Sequence, residues 1–324
     1  MKAIVYDRYG PPDVLRLEDV AKPVPADDDV LVRVHAASIN SWDWDLVRGH
    51  PFLIRMWGLL KPKHRIPGGD IAGTVEAVGA NVAGFEPGDE VFGDLSGCGW
   101  GGFAEYVLAP ESALTLKPSG VSFEDAAALP QAAVMALQGL RDYGRIQAGE
   151  AVLINGAGGG FGTFAIQLAK HFGAEVTGVD STGKLDIMRS AGADHVIDYT
   201  REDFVRNGKQ YDLILDAAAH FSIFDYRKSL NLGGVYVMVG GKTGRIFQVM
   251  LLGPLLSKLG TRQLGVLGHK PNKNLALLGE YLENGTISPV IDRRYSLGDV
   301  PDAFRYFSTG WARGKLVIVI DHEG

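Results

Sequence analysis

Cysteine is almost missing from this chain. Of 324 residues only Cys98 is one. No intrachain disulfide can form, and no Cys-rich zinc site can be assembled. A reducing compartment, the cytoplasm, is the setting expected. Long apolar runs are missing too. VMLLGPLL at 249–256 falls far short of the ~20 residues needed to span a bilayer. It is expected to be a buried loop or helix, or an interface patch. The opening MKAIVYDRYG lacks the apolar core of a secretory signal and reads as a strand. Dense basic blocks are also missing, and 32 Lys and Arg against 38 Asp and Glu leave a net charge of −6. Neither nucleic acid nor an anionic membrane is therefore an expected partner. No Ser/His/Asp triad, P-loop or pair of glycosidase carboxylates can be argued.

Glycine is plentiful at 43 residues, which suits tight turns and places where backbone must approach something closely. Length alone suggests about two domains, at roughly 100–200 residues each. The first ~120 residues alternate short β runs (KAIVY, DVLVRVHAA, GTVEAVG, DEVFG, AEYVLA) with Gly/Pro turns. They predict a mostly antiparallel, barrel-like domain. The style changes near Ser122, where SFEDAAALPQAAVMALQGLRDYG has helical periodicity. Ser122 and Asp125 resemble a helix cap. Strands and helices then alternate, which predicts βαβ units and a parallel sheet. VPDAFRYFSTGWARGKLVIVID predicts a helix and a strand that return to the first domain. The expected division is 1–123 with 269–324, and 124–268. The fold class is α/β.

VLINGAGGGFG at 152–162 carries the strongest local signal. An apolar strand end, Val152–Asn155, precedes the glycines. A helix from about Phe161 to Phe172 follows, with Phe161, Ala165, Leu168 and Phe172 on one face. Ala157, Gly159 and Gly162 occupy the three small positions of a dinucleotide fingerprint, with Gly158, Gly160 and Phe161 between them. Small residues permit the turn and the backbone approach to a pyrophosphate. The helix N-terminus offers N–H groups and a positive dipole end. The alternative is a glycine-rich turn with no ligand. A second strand ends at Asp180, where a carboxylate would accept from a ribose 2′-OH and so favour NAD(H). Ser181, Thr182 and Lys184 follow, and these would hold the 2′-phosphate of NADP(H). The two signals conflict, and Lys184 also reads as a solvated lysine at a helix start.

PGGDIAGTVEAVGANVAGFEPGDEVFG at 67–93, the Ala/Gly-rich turn, GADHVIDY at 192–199, NSWDWDLVRG, ALPQAAVMALQGL and GKLVIVI together resemble the medium-chain dehydrogenase/reductase superfamily. The zinc-independent quinone oxidoreductase (zeta-crystallin-like) branch is the nearer likeness. The resemblance implies a GroES-like β-barrel domain and a Rossmann domain, with the active site in a cleft between them. It implies homodimers, paired through Rossmann sheet edges near Arg262–Leu267. The zinc-dependent members carry a Cys where Asn40 stands and a His-Glu pair where Gly69 and Asp70 stand. They also have a four-Cys lobe where this chain has Cys98 alone. His35, His50 and His64 fit no zinc motif and are expected to be surface or loop residues. No zinc is expected.

Without a Lewis acid, simple alcohol oxidation is harder, whereas a quinone or an α,β-unsaturated carbonyl already draws hydride. The resemblance therefore implies reduction of a small quinone or enone by NADP(H), with NAD(H) possible. Asn40 stands at the active-site asparagine position and Asp43 at an acidic one. Either can instead serve its turn. Trp42, Trp44 and Arg48 are candidates for the acceptor pocket, or for packing. Gln131 lies where the family's helix approaches the nicotinamide. Ala217 and Gly240 end later strands, where parallel sheets bind ligands. Tyr199 matches a position near the adenosine phosphate, or covers the sheet end as a loop residue. Two other readings stay open: a zinc-free alcohol or carbonyl dehydrogenase, and a non-catalytic NADP(H)-binding redox sensor.

Overall fold

The structure is a computed structural model, and it describes residues 1–322. The last two residues of the expected first domain lie outside the described residues. So do the side chains of Leu53, Met56 and Trp57, in the short helical turn Phe52–Trp57. The chain divides into two compact units. One comprises 1–134, 271–285 and 291–324, and the other 135–270 and 286–290.

The first unit opens with β1 (Lys2–Val5) and β2 (Arg16–Asp19), an antiparallel pair. The 11-residue β3 (Asp29–Ile39) is its central strand. Val30, Val32, Val34 and Ala36 are all buried, and alternate residues Arg33 and His35 are half-buried, but from Ala36 to Ile39 both faces are covered. Helix α1 (Ser41–Arg48) follows at once. Then come β4 (Asp70–Val78), β5 (Glu90–Asp94), β6 (Tyr106–Pro110) and the short β7 (Thr115–Leu116). β3 pairs antiparallel with both β4 and β6.

The helical stretch predicted after Ser122 forms in three pieces. Helix α2 spans Phe123–Ala128, α3 spans Pro130–Leu137, and a wide turn covers Gln138–Tyr143. Pro130 divides the first two because it starts a helix well and cannot continue one. Ser122 caps α2 as expected, its Oγ accepting the Asp125 N–H at 3.0 Å.

The second unit is a parallel sheet. In chain order it contains β8 (Ala151–Asn155), α4 (Gly160–His171), β9 (Glu175–Asp180), α5 (Leu185–Ser190), β10 (His195–Asp198) and β11 (Tyr211–Asp216). Helix α6 (Ile223–Lys228), β12 (Leu230–Met238), α7 (Thr243–Lys258) and β13 (Gln263–Val266) complete it. The sheet order is β10-β9-β8-β11-β12-β13, parallel throughout. Strand order reverses beside β8, the switch point at which such sheets bind ligands beyond their carboxyl ends. The face expected on α4 is partly corrected. Ala165 and Leu168 are buried, whereas Phe161 and Phe172 are only half-buried, and Phe164 is fully buried in their place. VMLLGPLL is helical and lies within α7, but much of it is exposed, Leu251 at 76%.

The chain then returns to the first unit through α8 (Leu275–Glu283), β14 (Ile291–Ser296), α9 (Val300–Ser308) and β15 (Lys315–Val319). β15 pairs antiparallel with β3 and completes the sheet order β14-β15-β3-β4-β5-β7. Its core gathers Val32, Val34, Ile71, Phe103, Phe304 and Ile318. The expected return of the C-terminal helix and strand is thus present, and so is the antiparallel domain ahead of a parallel one. His35 corrects its expectation. It lies in β3, half-buried, bonded to Thr74 Oγ1 at 3.0 Å, with its ring 4.4 Å from that of Phe123. No helix among the described residues is long and apolar enough to cross a membrane.

Candidate active site

The glycine turn forms between β8 and α4. Its tightest position is one the fingerprint reading left out. Gly156 has φ +83°, a left-handed conformation that glycine alone adopts without strain. Gly162 is required for a different reason. A Cβ there would lie 2.3 Å from the Gly156 carbonyl oxygen and 2.4 Å from Ala157 Cα. Only a bare backbone lets the first turn of α4 close over Ala157. Gly159, the residue that caps α4, meets no such wall: its nearest neighbour would be 3.8 Å away. The protein's own packing does not demand glycine at 159. The open space there, in front of the free N–H groups of a 12-residue helix, is what a pyrophosphate needs. The residues thus fit a dinucleotide.

Asp180 ends β9 turned inward. Its Oδ2 accepts the Gly158 N–H at 2.9 Å and its Oδ1 accepts the Ser181 N–H at 2.8 Å. One oxygen holds the glycine turn and the other the backbone that follows β9. Lys184 Nζ lies 3.8 Å from Asp180 Oδ1. Tyr199 is 53% exposed, and its N–H donates to the Asp180 carbonyl. The Ala217 N–H donates to the Asn155 carbonyl and the Gly240 N–H to the Asp216 carbonyl. Both sit just past the carboxyl ends of their strands, β11 and β12.

The other candidates lie in the first unit, around the end of β3. Asn40 follows the last residue of β3 and precedes α1, with extended φ −124° and ψ 168°. Its backbone N–H donates to Asp43 Oδ2 at 2.7 Å, and the Gly69 N–H donates to Asp43 Oδ1 at 2.9 Å. Asp43 is fully buried. Burial pushes its carboxyl up to about 8, against the pull of those two N–H donors. This corrects the expectation of Asp43 as a catalytic group. It has no surface to offer a ligand, and it fastens the Asn40 turn to the start of β4.

The Asn40 side chain lies between an ammonium and a carboxylate. Lys315 Nζ donates to Asn40 Oδ1 at 2.6 Å, and Asn40 Nδ2 donates to Asp70 Oδ2 at 2.8 Å. Lys315 Nζ is also 3.4 Å from the Ile39 carbonyl and 3.7 Å from Asp70 Oδ2. Asp70 further accepts the Gln131 backbone N–H at 3.2 Å and the Ser38 hydroxyl at 3.4 Å. Ser38, Asp70, Gln131 and Lys315 are all buried. Burial raises the Asp70 carboxyl and lowers the Lys315 ammonium, and each charge opposes the other's shift. The Gln131 side chain keeps a buried Nε2 with no partner. A zinc ion does not suit this donor set. Asn40 offers a neutral amide, Gly69 has no side chain, and Asp70 is already bonded. The Lys315 ammonium would repel a dication. Among the described residues, no group of three or more His, Cys, Asp or Glu could hold a metal.

The remaining pocket candidates separate. Trp44 packs against the core, its ring centroid 5.8 Å from that of Phe304, so it is a packing residue. Arg48 lies over Trp44 at 4.8 Å and pairs with Asp45 at 2.5 Å. Trp42 is exposed on α1. Sequence reasoning missed Lys315, and a signal was present. It is the one charged residue in KLVIV, an otherwise apolar strand.

A GroES-like barrel unit and a dinucleotide-binding parallel sheet, with an amide where the zinc-dependent members place a thiolate, define a metal-free nicotinamide-dependent oxidoreductase class. Residues 26–119 match the family model described as "Alcohol dehydrogenase GroES-like domain", and residues 191–318 the one described as "Zinc-binding dehydrogenase". The chain is 38% identical to the 2-methylene-furan-3-one reductase of Solanum lycopersicum, over 98% of this chain and 79% of that one. It is 35% identical to the chloroplastic NADPH-dependent alkenal/one oxidoreductase of Arabidopsis thaliana, with the same coverage. The solved quinone oxidoreductase of Coxiella burnetii superposes with a TM-score of 0.89 at 30% identity, over 99% of each chain. The chain belongs to the medium-chain dehydrogenase/reductase superfamily, in its zinc-independent quinone oxidoreductase branch.

Proposed function

We propose that this protein uses NADPH to reduce quinones or enones. The enones would be of the kind its plant relatives are named for, a 2-methylene-furan-3-one and an alkenal or alkenone. One observation carries the chemistry. The residues at the zinc position are a buried amide held between Lys315 and Asp70, which suits hydrogen bonding to an activated carbonyl and not metal coordination. When bound, the reduced nicotinamide supplies the hydride. The Gly159 end of α4 receives its pyrophosphate. Asn40 donates a hydrogen bond to the acceptor oxygen as negative charge grows there.

Asp180 turned inward supports NADP(H). A carboxylate whose oxygens both accept backbone N–H groups offers less to a ribose 2′-OH. Lys184 and Tyr199 are then the groups for the 2′-phosphate. We also propose a homodimer joined through the edge strand β13, where the sheet ends and the exposed leucines of α7 lie alongside. A monomeric mass by light scattering would overturn that. The setting proposed is the cytoplasm, and recovery of the protein in a membrane or secreted fraction would contradict it. The functional test is steady-state oxidation of NADPH and of NADH with a panel of quinones, enones and simple ketones. Turnover of quinones or enones, faster with NADPH, is expected. Turnover of simple ketones alone would favour a carbonyl dehydrogenase. Tight cofactor binding with no turnover would favour a redox sensor.

A further inference from the structure

Lys315 lies 275 residues from Asn40 and reaches it through strand register. Leu316 of β15 pairs with Ile39 of β3 in an antiparallel ladder. The next rung sets Lys315 opposite Asn40. An ammonium donates only, and an ionised carboxylate accepts only. The Asn40 amide between them has one favoured orientation, with Oδ1 toward Lys315 and Nδ2 toward Asp70. These two bonds use one amide hydrogen and leave the second. Asn40 keeps 8% of its surface exposed, while Lys315 keeps only 2%. Of the pair, the amide has the greater access to a ligand.

A lysine in this place is costly. A buried ammonium destabilises the fold unless it is well paired, and an apolar residue would continue the LVIV pattern of β15. Lys315 is paired, but with a group that itself bonds Asn40. We infer that Lys315 is a positioning residue. Its ammonium fixes the Asn40 amide so that the second N–H stands ready for the acceptor oxygen. This rests on the reading of Asn40 as the donor. A donor held in place needs no reorganisation as charge develops, which is where such groups gain most.

A double-mutant cycle in kcat tests this on the full-length protein. Asn40→Ala is expected to lower kcat about 100-fold. Lys315→Met is expected to lower it about 10- to 100-fold with NADPH affinity within about twofold. The diagnostic result is non-additivity: in the Asn40→Ala background, Lys315→Met should cost nothing further. Additive losses would overturn the positioning role, because Lys315 would then act independently of the amide. Unchanged kcat in Lys315→Met would overturn it as well. Unchanged kcat in Asn40→Ala would instead remove the donor reading on which it rests. If Lys315→Met does not fold alone, the cycle is run on Lys315→Met combined with Asp70→Asn, which leaves neither buried charge unpaired. The same non-additivity is then required.

Discussion

The glycine turn and the Asn40 cluster are built in opposite ways. The turn is local. Eleven consecutive residues, 152–162, supply strand, turn and helix start, and they act largely through bare backbone. The cluster is assembled from β3, β4, α3 and β15, and it acts through side chains buried at some cost. A local backbone device tolerates little change at its own positions. A dispersed side-chain device can lose a member and keep its fold, with function failing first.

The largest effect expected from this contrast is at the turn. Gly162→Ala places a methyl 2.3 Å from the Gly156 carbonyl oxygen, and backbone must shift to admit it. NADPH affinity should fall at least ~10-fold, or the second unit should lose stability, since overpacking costs about 1–3 kcal/mol. Calorimetric titration and thermal melting distinguish the two. Wild-type affinity and stability together would show that the turn is slack. A smaller effect is expected at Lys184. Lys184→Ala should weaken NADPH about tenfold, the scale of one charge-assisted contact to a phosphate, and change NADH less than twofold. Equal losses on both nucleotides would remove the 2′-phosphate role.

A last effect is expected at Asp43, beside the cluster on α1, and is read in pH. Asp43 titrates near 8 in the folded chain, against 3.8 for an ordinary carboxyl. Between those values the folded state holds a proton that the unfolded chain has released. Stability should therefore fall as pH rises from about 4 to about 8. Denaturant midpoints across that range check this, and Asp43→Asn should flatten the slope. A midpoint rising through the same window in both proteins would contradict the raised value.

The contrast also explains what the sequence could reveal. The turn was legible because its spacing is contiguous, although Gly156, the position that needs left-handed backbone, escaped the fingerprint. The two-domain order and the returning C-terminal strand were legible from composition and period. The inward turn of Asp180 was not, because its direction depends on the Gly158 N–H beside it. Nor was the cluster. Asn40 and Lys315 meet only through the β3–β15 pairing, and a strand's own pattern shows which face is buried, not which strand it pairs with. The charge inside KLVIV marked the place without naming its partner.

The most direct test of the metal-free reduction is turnover of NADPH with a quinone or enone after exhaustive chelation, with residual metal measured in the same sample. Undiminished turnover at well under one metal ion per chain is the predicted result. Activity lost on chelation and restored by zinc would contradict it.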